Sequence, residues 1–435
     1  MGLGRRPLLA LGGVASLALG AGAAYALGPL LLGIGPTDTI HKDPLEALRV
    51  DRSDRANPLS GVVMYDDHPL DYATVTAGTE VVVTDETGAF SFDNAALGPI
   101  TVTRPAFESY EYEYDGSVSE VDLILSPRIV RSVHISSSWA TSDSKFQEFI
   151  DLADATTVNS LTLDAMGDDG YIDYNTKVQA AIDHHMITDT PYDVEKRLQQ
   201  MDDAGLYSIV RVSVFANPLA VQAFPEYKLG GGFLDPGNAG SWEYPLDLAV
   251  EACTLGFDEI NFDYIRYPSY TYAKTPDTQE GRVANIRAYL EEAANRLHPL
   301  GCAISANSFG GPTMEERDYG IGQLVEEFTI PLDAYAPMTY PELWTDSPIF
   351  GIPKPQYHPR EVVTAQLDAA LPRIAEGTIL RPWLQSSFYY PQTDWVIWQI
   401  DVAEERGLGW IMWNSYDDPY ASAIGMFPAG TTGEG

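Results

Sequence analysis

Two textures of hydrophobic patterning divide the chain. From about Gly61 to Leu125, short alternating runs (GVVMY, ATVTAG, EVVVTDETGAFSF, GPITVTRPAF, VDLILS) are separated by turn residues, the period-two pattern of a small β-sandwich. After Pro127, apolar strands alternate with amphipathic stretches of helical spacing, the sign of a parallel sheet. The predicted strands are Ser132–Ser137, Ser160–Asp164, Tyr207–Val214, Glu259–Asp263, Cys302–Asn307, Ala334–Met338, Ile379–Trp383 and Gly409–Trp413, eight in all. Helices are predicted over Val194–Ala204, Pro245–Leu255, Gly281–Leu297, Gly322–Phe328, Pro359–Ala375 and Thr393–Arg406. The pattern predicts an α/β fold, a (β/α)8 TIM barrel over residues 129–425, preceded by an all-β sandwich over 57–128 and followed by a flexible tail at 426–435.

Composition narrows the partners. With 62 acidic and 26 basic residues the net charge is −36, a field that repels nucleic acid and anionic lipid and matches proteins kept soluble in concentrated salt. A halophilic, archaeal source is expected, against the plainer alternative of an ordinary acidic secreted enzyme. Arg5-Arg6 precede an apolar run from Pro7 to Gly35. Residues 1–35 therefore read as a twin-arginine export signal, with Ala24-Tyr25-Ala26 as its cleavage site, or as an uncleaved membrane tether through 7–35. Polar residues 36–56 read as a linker. Either way the bulk of the chain is expected outside the cell. Cys253 and Cys302 are the only cysteines; one bridge between them is open, but two buried free thiols are the expectation. Zinc-type cysteine spacing is absent and His184-His185 reads as a solvated pair, so no metal or cofactor is expected.

Polar residues at the C-terminal ends of barrel strands converge on one mouth however distant they are in sequence. Here they are Asp164, Arg211, Asn217, Asp263, Asn307, Tyr340, Glu342, Gln385 and Asn414, interleaved with Trp139, Phe215, Tyr264, Phe309, Trp344, Trp383 and Trp413. Aromatic faces beside hydrogen-bonding groups suit a sugar ring, which has apolar C–H faces and polar edges. Glycoside hydrolysis usually needs two carboxyl groups. Asp263, in GFDEINFDYIRYPS, is the first choice for nucleophile or base, against a plainer role as helix cap or partner of Arg266. Glu342, on a Pro-stiffened loop in MTYPELW, is the candidate proton donor, against a plain exposed glutamate. Asp164 is the rival acid, while Asp168-Asp169-Gly170 reads as a polar loop ahead of a substrate-binding turn. Arg211, inside a strand of valines, needs a carboxylate partner, and Asp164 or Asp263 can supply it. Tyr264, Arg266, Asn307, Tyr340, Trp383, Gln385, Trp413 and Asn414 complete the candidate substrate-binding set, with core packing the competing role for both tryptophans.

Two resemblances follow from these motifs. Thr84-Asp85 with Gly88 and Phe90-Ser91-Phe92 resembles the T-D-x-x-G-x-F-x-F signature of carboxypeptidase regulatory-like domains, transthyretin-like sandwiches that serve as spacers or binding appendages. GFDEINFDYIRYP at 256–268 resembles the G-F-D-E-I-Q-F-D-Y-V-R-F-P of a largely uncharacterised glycosyl hydrolase family of (β/α)8 barrels, related to α-galactosidase-like and galactosaminidase-like enzymes. Asn217-Pro218-Leu219, Gly320-Ile321-Gly322-Gln323, Pro337-Met338-Thr339-Tyr340-Pro341, Arg381-Pro382-Trp383-Leu384-Gln385 and Trp413-Asn414 extend the likeness over about 130–420. The chain departs from the family where Met166 replaces a lysine, Asn307 an aspartate, Ser386 a common acid and Glu342 a serine. The resemblance implies a glycosidase that pairs an aspartate on strand four with a glutamate near strand six, hence Asp263 with Glu342. The expected activity is hydrolysis of O-glycosidic bonds in a polysaccharide or envelope glycan. Its rivals are a non-catalytic glycan-binding or cell-envelope protein and, less well supported, a metal-dependent deacetylase.

Overall fold

The computed structural model describes residues 57–344, 351–386 and 393–413. The predicted export or tether segment, the linker, Asn414 and the predicted tail lie outside the described residues. Eight parallel strands close into a ring: β1 (Arg131–Ile135), β2 (Ser160–Met166), β3 (Tyr207–Ser213), β4 (Glu259–Asp263), β5 (Ala303–Phe309), β6 (Ala334–Met338), β7 (Ile379–Leu380 and Trp383–Gln385) and β8 (Trp410–Trp413). Each pairs with the next, and β1 pairs with both β2 and β8. The fold is a TIM barrel.

Helices α1 (Asp143–Ala155), α2 (Val194–Asp203), α3 (Glu243–Leu255), α4 (Gln279–Leu297), α5 (Val325–Phe328), α6 (Pro359–Ala370) and α7 (Thr393–Glu404) fill the crossovers. Side chains of Ser142, Asp193 and Thr278 accept from the first-turn N–H groups of α1, α2 and α4, satisfying donors that a helix start leaves unpaired. Alternation along the strands sorts the side chains. Leu161, Leu163, Val210, Val212, Ile260 and Phe262 face outward into the main apolar core with the helices. The intervening positions, among them His134, Asp164, Arg211, Asn261, Asp263, Ser305 and Asn307, are buried and polar. A barrel interior this polar is costly unless its groups pair with one another.

The β2–α2 connection holds strands that the apolar pattern does not reveal, Ile172–Tyr174 and Ile187–Tyr192, which extend the sheet beside β2. Ala165 is an extra residue between the Asp164–Arg211 and Met166–Val212 pairs, a bulge of the kind found at barrel rims.

Residues 59–124 form two four-stranded sheets whose apolar sides share one core. Ala303, Ala334 and Ile379, at the starts of β5, β6 and β7, belong to that core as well. The sandwich therefore packs under the N-terminal ends of the strands, opposite the mouth. Arg104 of the sandwich reaches Asp333 at the foot of β6 at 2.6 Å.

The cysteines correct the expectation of free thiols: Cys253 and Cys302 form a disulfide, with 6.0 Å between their Cα atoms. A separation of 49 residues hides this in the sequence. The chain leaves the end of α3, climbs β4 and returns along α4, so both cysteines reach the floor of the barrel one βα unit apart.

Candidate active site

The mouth is organised around Arg211 on β3. Its Nε donates to Asp263 Oδ2 at 2.8 Å, its Nη1 to Asp164 Oδ1 at 3.0 Å and its Nη2 to Asp168 Oδ1 at 2.7 Å. The partner the sequence demands is thus three carboxylates. Burial alone would lower the pKa of Arg211, but Asp263, Asp164 and Asp168 outweigh it and hold the guanidinium well above its ordinary value. His134 on β1 meets Asp164 Oδ2 through Nε2 at 2.9 Å. Burial pushes the Asp164 carboxyl up, but the charges of His134 and Arg211 overcome that and bring it to about 2.

Asp263 closes β4 and is 8% exposed. Its second oxygen accepts from the Tyr264 N–H at 2.6 Å. Tyr264 has a φ of 53°, a strained conformation for a bulky residue and one concentrated at functional sites. The turn aims that N–H at the carboxylate and brings the Tyr264 hydroxyl to Asp168 Oδ2 at 3.3 Å. Burial, with Asp168 and Asp263 beside it, pushes the Tyr264 phenol up to about 12.

A cavity of about 210 Å³ opens on this cluster, lined among others by Asp168, Arg211, Asp263, Tyr264, Arg266, Asn307, Phe309, Tyr340, Trp383 and Trp413. It is smaller than the roughly 300–1,000 Å³ of sites for drug-sized ligands, the size class of about one sugar ring. Trp413 stacks on His134 with ring centroids 4.4 Å apart, and the Arg211 guanidinium lies 5.2 Å from the Trp413 ring centre. Trp383 donates its indole N–H to Asn307 Oδ1 at 2.7 Å. Burial pushes the Tyr340 phenol well above its ordinary value, and Asp263 adds to that. Its hydroxyl stays a proton donor.

Other candidates lie elsewhere. Glu342 is outside the cavity lining, two residues beyond Tyr340; its Oε2 accepts from Gln385 Nε2 at 2.8 Å. Asn217 caps the helix at 218–223 and donates to the Met166 sulfur. Phe215 is fully buried against Tyr289, and Trp139 packs edge-on to Phe149; both serve the scaffold. His184 and His185 are exposed.

Four residues escape sequence reasoning as site members. Asp168, read as a polar loop, lines the cavity. Gln323 lines it too and donates to the carbonyls of Ile265 and Asn307. His134 was findable, since it shares its strand face with Ser132 in an alternating run. Asp173 is 7% exposed and its Oδ2 meets no hydrogen-bond partner among the described residues. Burial pushes its carboxyl up to about 8, and Asp164 and Asp169 add to the rise. No group of three or more His, Cys, Asp or Glu side chains able to hold a metal ion occurs among the described residues. The carboxylates converge on a guanidinium.

Residues 132–418 match the model of a family described as "Putative glycosyl hydrolase domain". Among solved structures, a hypothetical protein from Ruminiclostridium thermocellum is 30% identical, the match covering 40% of this chain and 96% of that one with a TM-score of 0.36. The PgaB (BpsB) glycoside hydrolase domain from Bordetella bronchiseptica is 12% identical over 68% of this chain and 98% of its own, with a TM-score of 0.52. An endo-1,4-β-D-mannanase from Thermotoga petrophila is 10% identical over 69% and 99%, with a TM-score of 0.46. No curated protein matches the sequence. The family match spans the whole ring and every strand end described above, and the chain belongs to that glycosyl hydrolase domain family.

Proposed function

We propose that the protein hydrolyses O-glycosidic bonds of a polysaccharide or envelope glycan, with Asp263 as nucleophile or general base. One observation carries this reading: both oxygens of Asp263 are fixed, by Arg211 and by the Tyr264 N–H, while the residue opens on a small cavity walled by Trp383 and Trp413. A carboxylate oriented in this way, beside aromatic walls, suits attack at an anomeric carbon or activation of water. Asp168 and Glu342 compete for proton donor. Asp168 is committed to Arg211 and to the Tyr264 hydroxyl, whereas Glu342 stands two residues beyond the cavity-lining Tyr340 and accepts from Gln385 Nε2. Glu342 is therefore assigned the donor's role.

The test is release of new reducing ends from microbial exopolysaccharides and envelope glycans at high salt. Wild type should release them and Asp263→Asn should be lower by about 10³-fold or more. Glu342→Gln should fail on natural glycans yet keep activity on aryl glycosides, whose leaving group needs little protonation. Release by both wild type and Asp263→Asn, or by neither across a broad panel, overturns the mechanism. Glycan binding without turnover is the second reading, favoured by Asn307, a neutral amide at the β5 end. Binding of the same panel with no reducing ends would select it.

Export is part of the proposal. The Cys253–Cys302 disulfide supports an oxidising compartment, in keeping with Arg5-Arg6 and the apolar run that follows. Protease digestion of intact cells, which should consume a surface-tethered protein, tests it.

A further inference from the structure

Two arginines line the cavity, and their surroundings are opposite. Arg211 is saturated by three carboxylates. Arg266 forms no ion pair with any described residue. In a chain this acidic that is exceptional, because each of the other thirteen described arginines has a carboxylate within ion-pair distance. The guanidinium is instead held by rings: its carbon lies 5.0 Å from the ring centre of Phe233, 5.4 Å from Tyr264 and 4.9 Å from Phe309. Its one hydrogen bond to the described residues runs from Nη1 to the Tyr267 carbonyl at 3.1 Å. A guanidinium has five N–H donors and cannot shed its charge, so most of this fork is left for whatever enters the cavity.

Asp168 and Asp263 line the cavity as acceptors, but Asn307 and Tyr340 beside them offer donors. Trp383 Nε1 can only donate, so the Asn307 atom 2.7 Å from it must be the amide oxygen, which accepts from Asn261 Nδ2 at 2.9 Å as well. That leaves the Asn307 NH₂ group on the cavity side with no partner among the described residues. The Tyr340 hydroxyl likewise forms no hydrogen bond with them and stays protonated.

Building on the hydrolase reading, we infer that Arg266 is an anion subsite and that the cavity takes an acidic sugar, one bearing a carboxylate or a sulfate, next to Asp263. A ring cage fixes the plane of the fork without neutralising it, and a fixed planar fork matches a planar carboxylate in two parallel hydrogen bonds. Selectivity has to be this local, because a net charge of −36 repels a polyanion at long range. At about 1 M salt the screening length is only about 3 Å, so the repulsion fades while direct contacts persist.

The test is a binding titration at high salt, read by calorimetry and therefore independent of turnover. The probes are an oligoglucuronate, its carboxyl-reduced neutral counterpart, and a sulfated neutral oligosaccharide of the same length. Wild type should bind the oligoglucuronate about 10- to 100-fold more tightly than the reduced counterpart. Arg266→Gln should lose that preference, binding the acidic and the neutral probe about equally. Arg266→Lys, which keeps the charge but not the fork, should fall between. Tighter binding of the sulfated probe, with the same dependence on Arg266, assigns the anion to sulfate and still supports the subsite. Equal binding of acidic and neutral probes by wild type, a preference that survives Arg266→Gln, or no binding of either anion overturns it. Binding that depends on Arg266 without any reducing ends would remove the hydrolase reading and leave this one standing; release from neutral glycans with no acid preference would do the reverse.

Discussion

The two ends of the barrel each bury an arginine among carboxylates, yet only one end is built to meet a ligand. At the floor, Arg381 Nη1 lies 2.7 and 2.8 Å from the two oxygens of Glu259, with side chains 1% and 0% exposed. Tyr207 and Ser305 donate to the same glutamate, while Arg381 Nε and Nη2 are buried without a described partner. At the mouth, Arg211 uses all three nitrogens on three aspartates, one of which, Asp168, is 55% exposed at its side chain. Burial and ion pairing are shared by both clusters and identify neither as a site. What separates them is the cavity against which the upper carboxylates lie, as expected for a fold that keeps chemistry at the C-terminal strand ends and stability at the other.

The sharpest way to break this comparison is to neutralise one acid at each end. Asp263→Asn should reduce turnover by about 10³-fold or more while moving the thermal midpoint little, since an amide still accepts from Arg211. Glu259→Gln should leave turnover per folded molecule within about twofold. A larger loss of turnover at the floor than at the mouth would invert the assignment.

Stability should follow the opposite order. Glu259→Ala strands a buried guanidinium and should cost about 3–5 kcal/mol in denaturant unfolding, whereas replacing both Glu259 and Arg381 by methionine should recover most of it. If the double replacement is no better than the single, the pair contributes more than removal of an orphaned charge. Next in size is the floor disulfide. Cys302→Ser should cost roughly 2–4 kcal/mol in thermal or denaturant unfolding, since the bridge spans 49 residues, with catalysis at the mouth unchanged.

The ring itself was readable because its outward face is apolar at period two and its helices at period 3.6; all eight strands fall where alternation predicted, give or take a few residues. Asp263 and Arg211 were readable for the same reason, as polar residues interrupting otherwise apolar strands. The remainder is set by contacts with no sequence period. Asp168 reaches Arg211 from the segment beyond the β2 bulge, and Asp173 is buried by strands that pair out of order beside β2. The unpaired state of Arg266 is a statement about what is missing around it, and the disulfide depends on α4 returning the chain to the floor.

The smallest expected effect is a pH dependence whose sign sets Asp173, at the mouth, apart from the buried acids paired at both ends. At the floor, burial pushes Asp333 up but His298 and Arg104 outweigh it and hold its carboxyl well below the ordinary range. The stability it contributes is present above the unfolded value near 3.8 and is lost as pH falls. Asp164 at the mouth behaves the same way, its contribution disappearing as pH falls from 3.8 through about 2. Asp173 runs the other way. Its carboxyl is raised from 3.8 to about 8, so the folded state holds a proton that the unfolded chain has released, and stability declines as pH rises across that window. Asp173→Asn mimics the protonated carboxyl and cannot ionise. It should therefore flatten that decline, changing stability little near pH 4 and leaving the variant progressively more stable than wild type as pH rises toward 8. Calorimetric midpoints of wild type and variant across that range decide the matter: curves that converge at acid pH and separate at alkaline pH locate the weak point in the mouth, whereas parallel curves would mean that Asp173 finds a partner for its charge and that the mouth is no more sensitive to alkali than the floor.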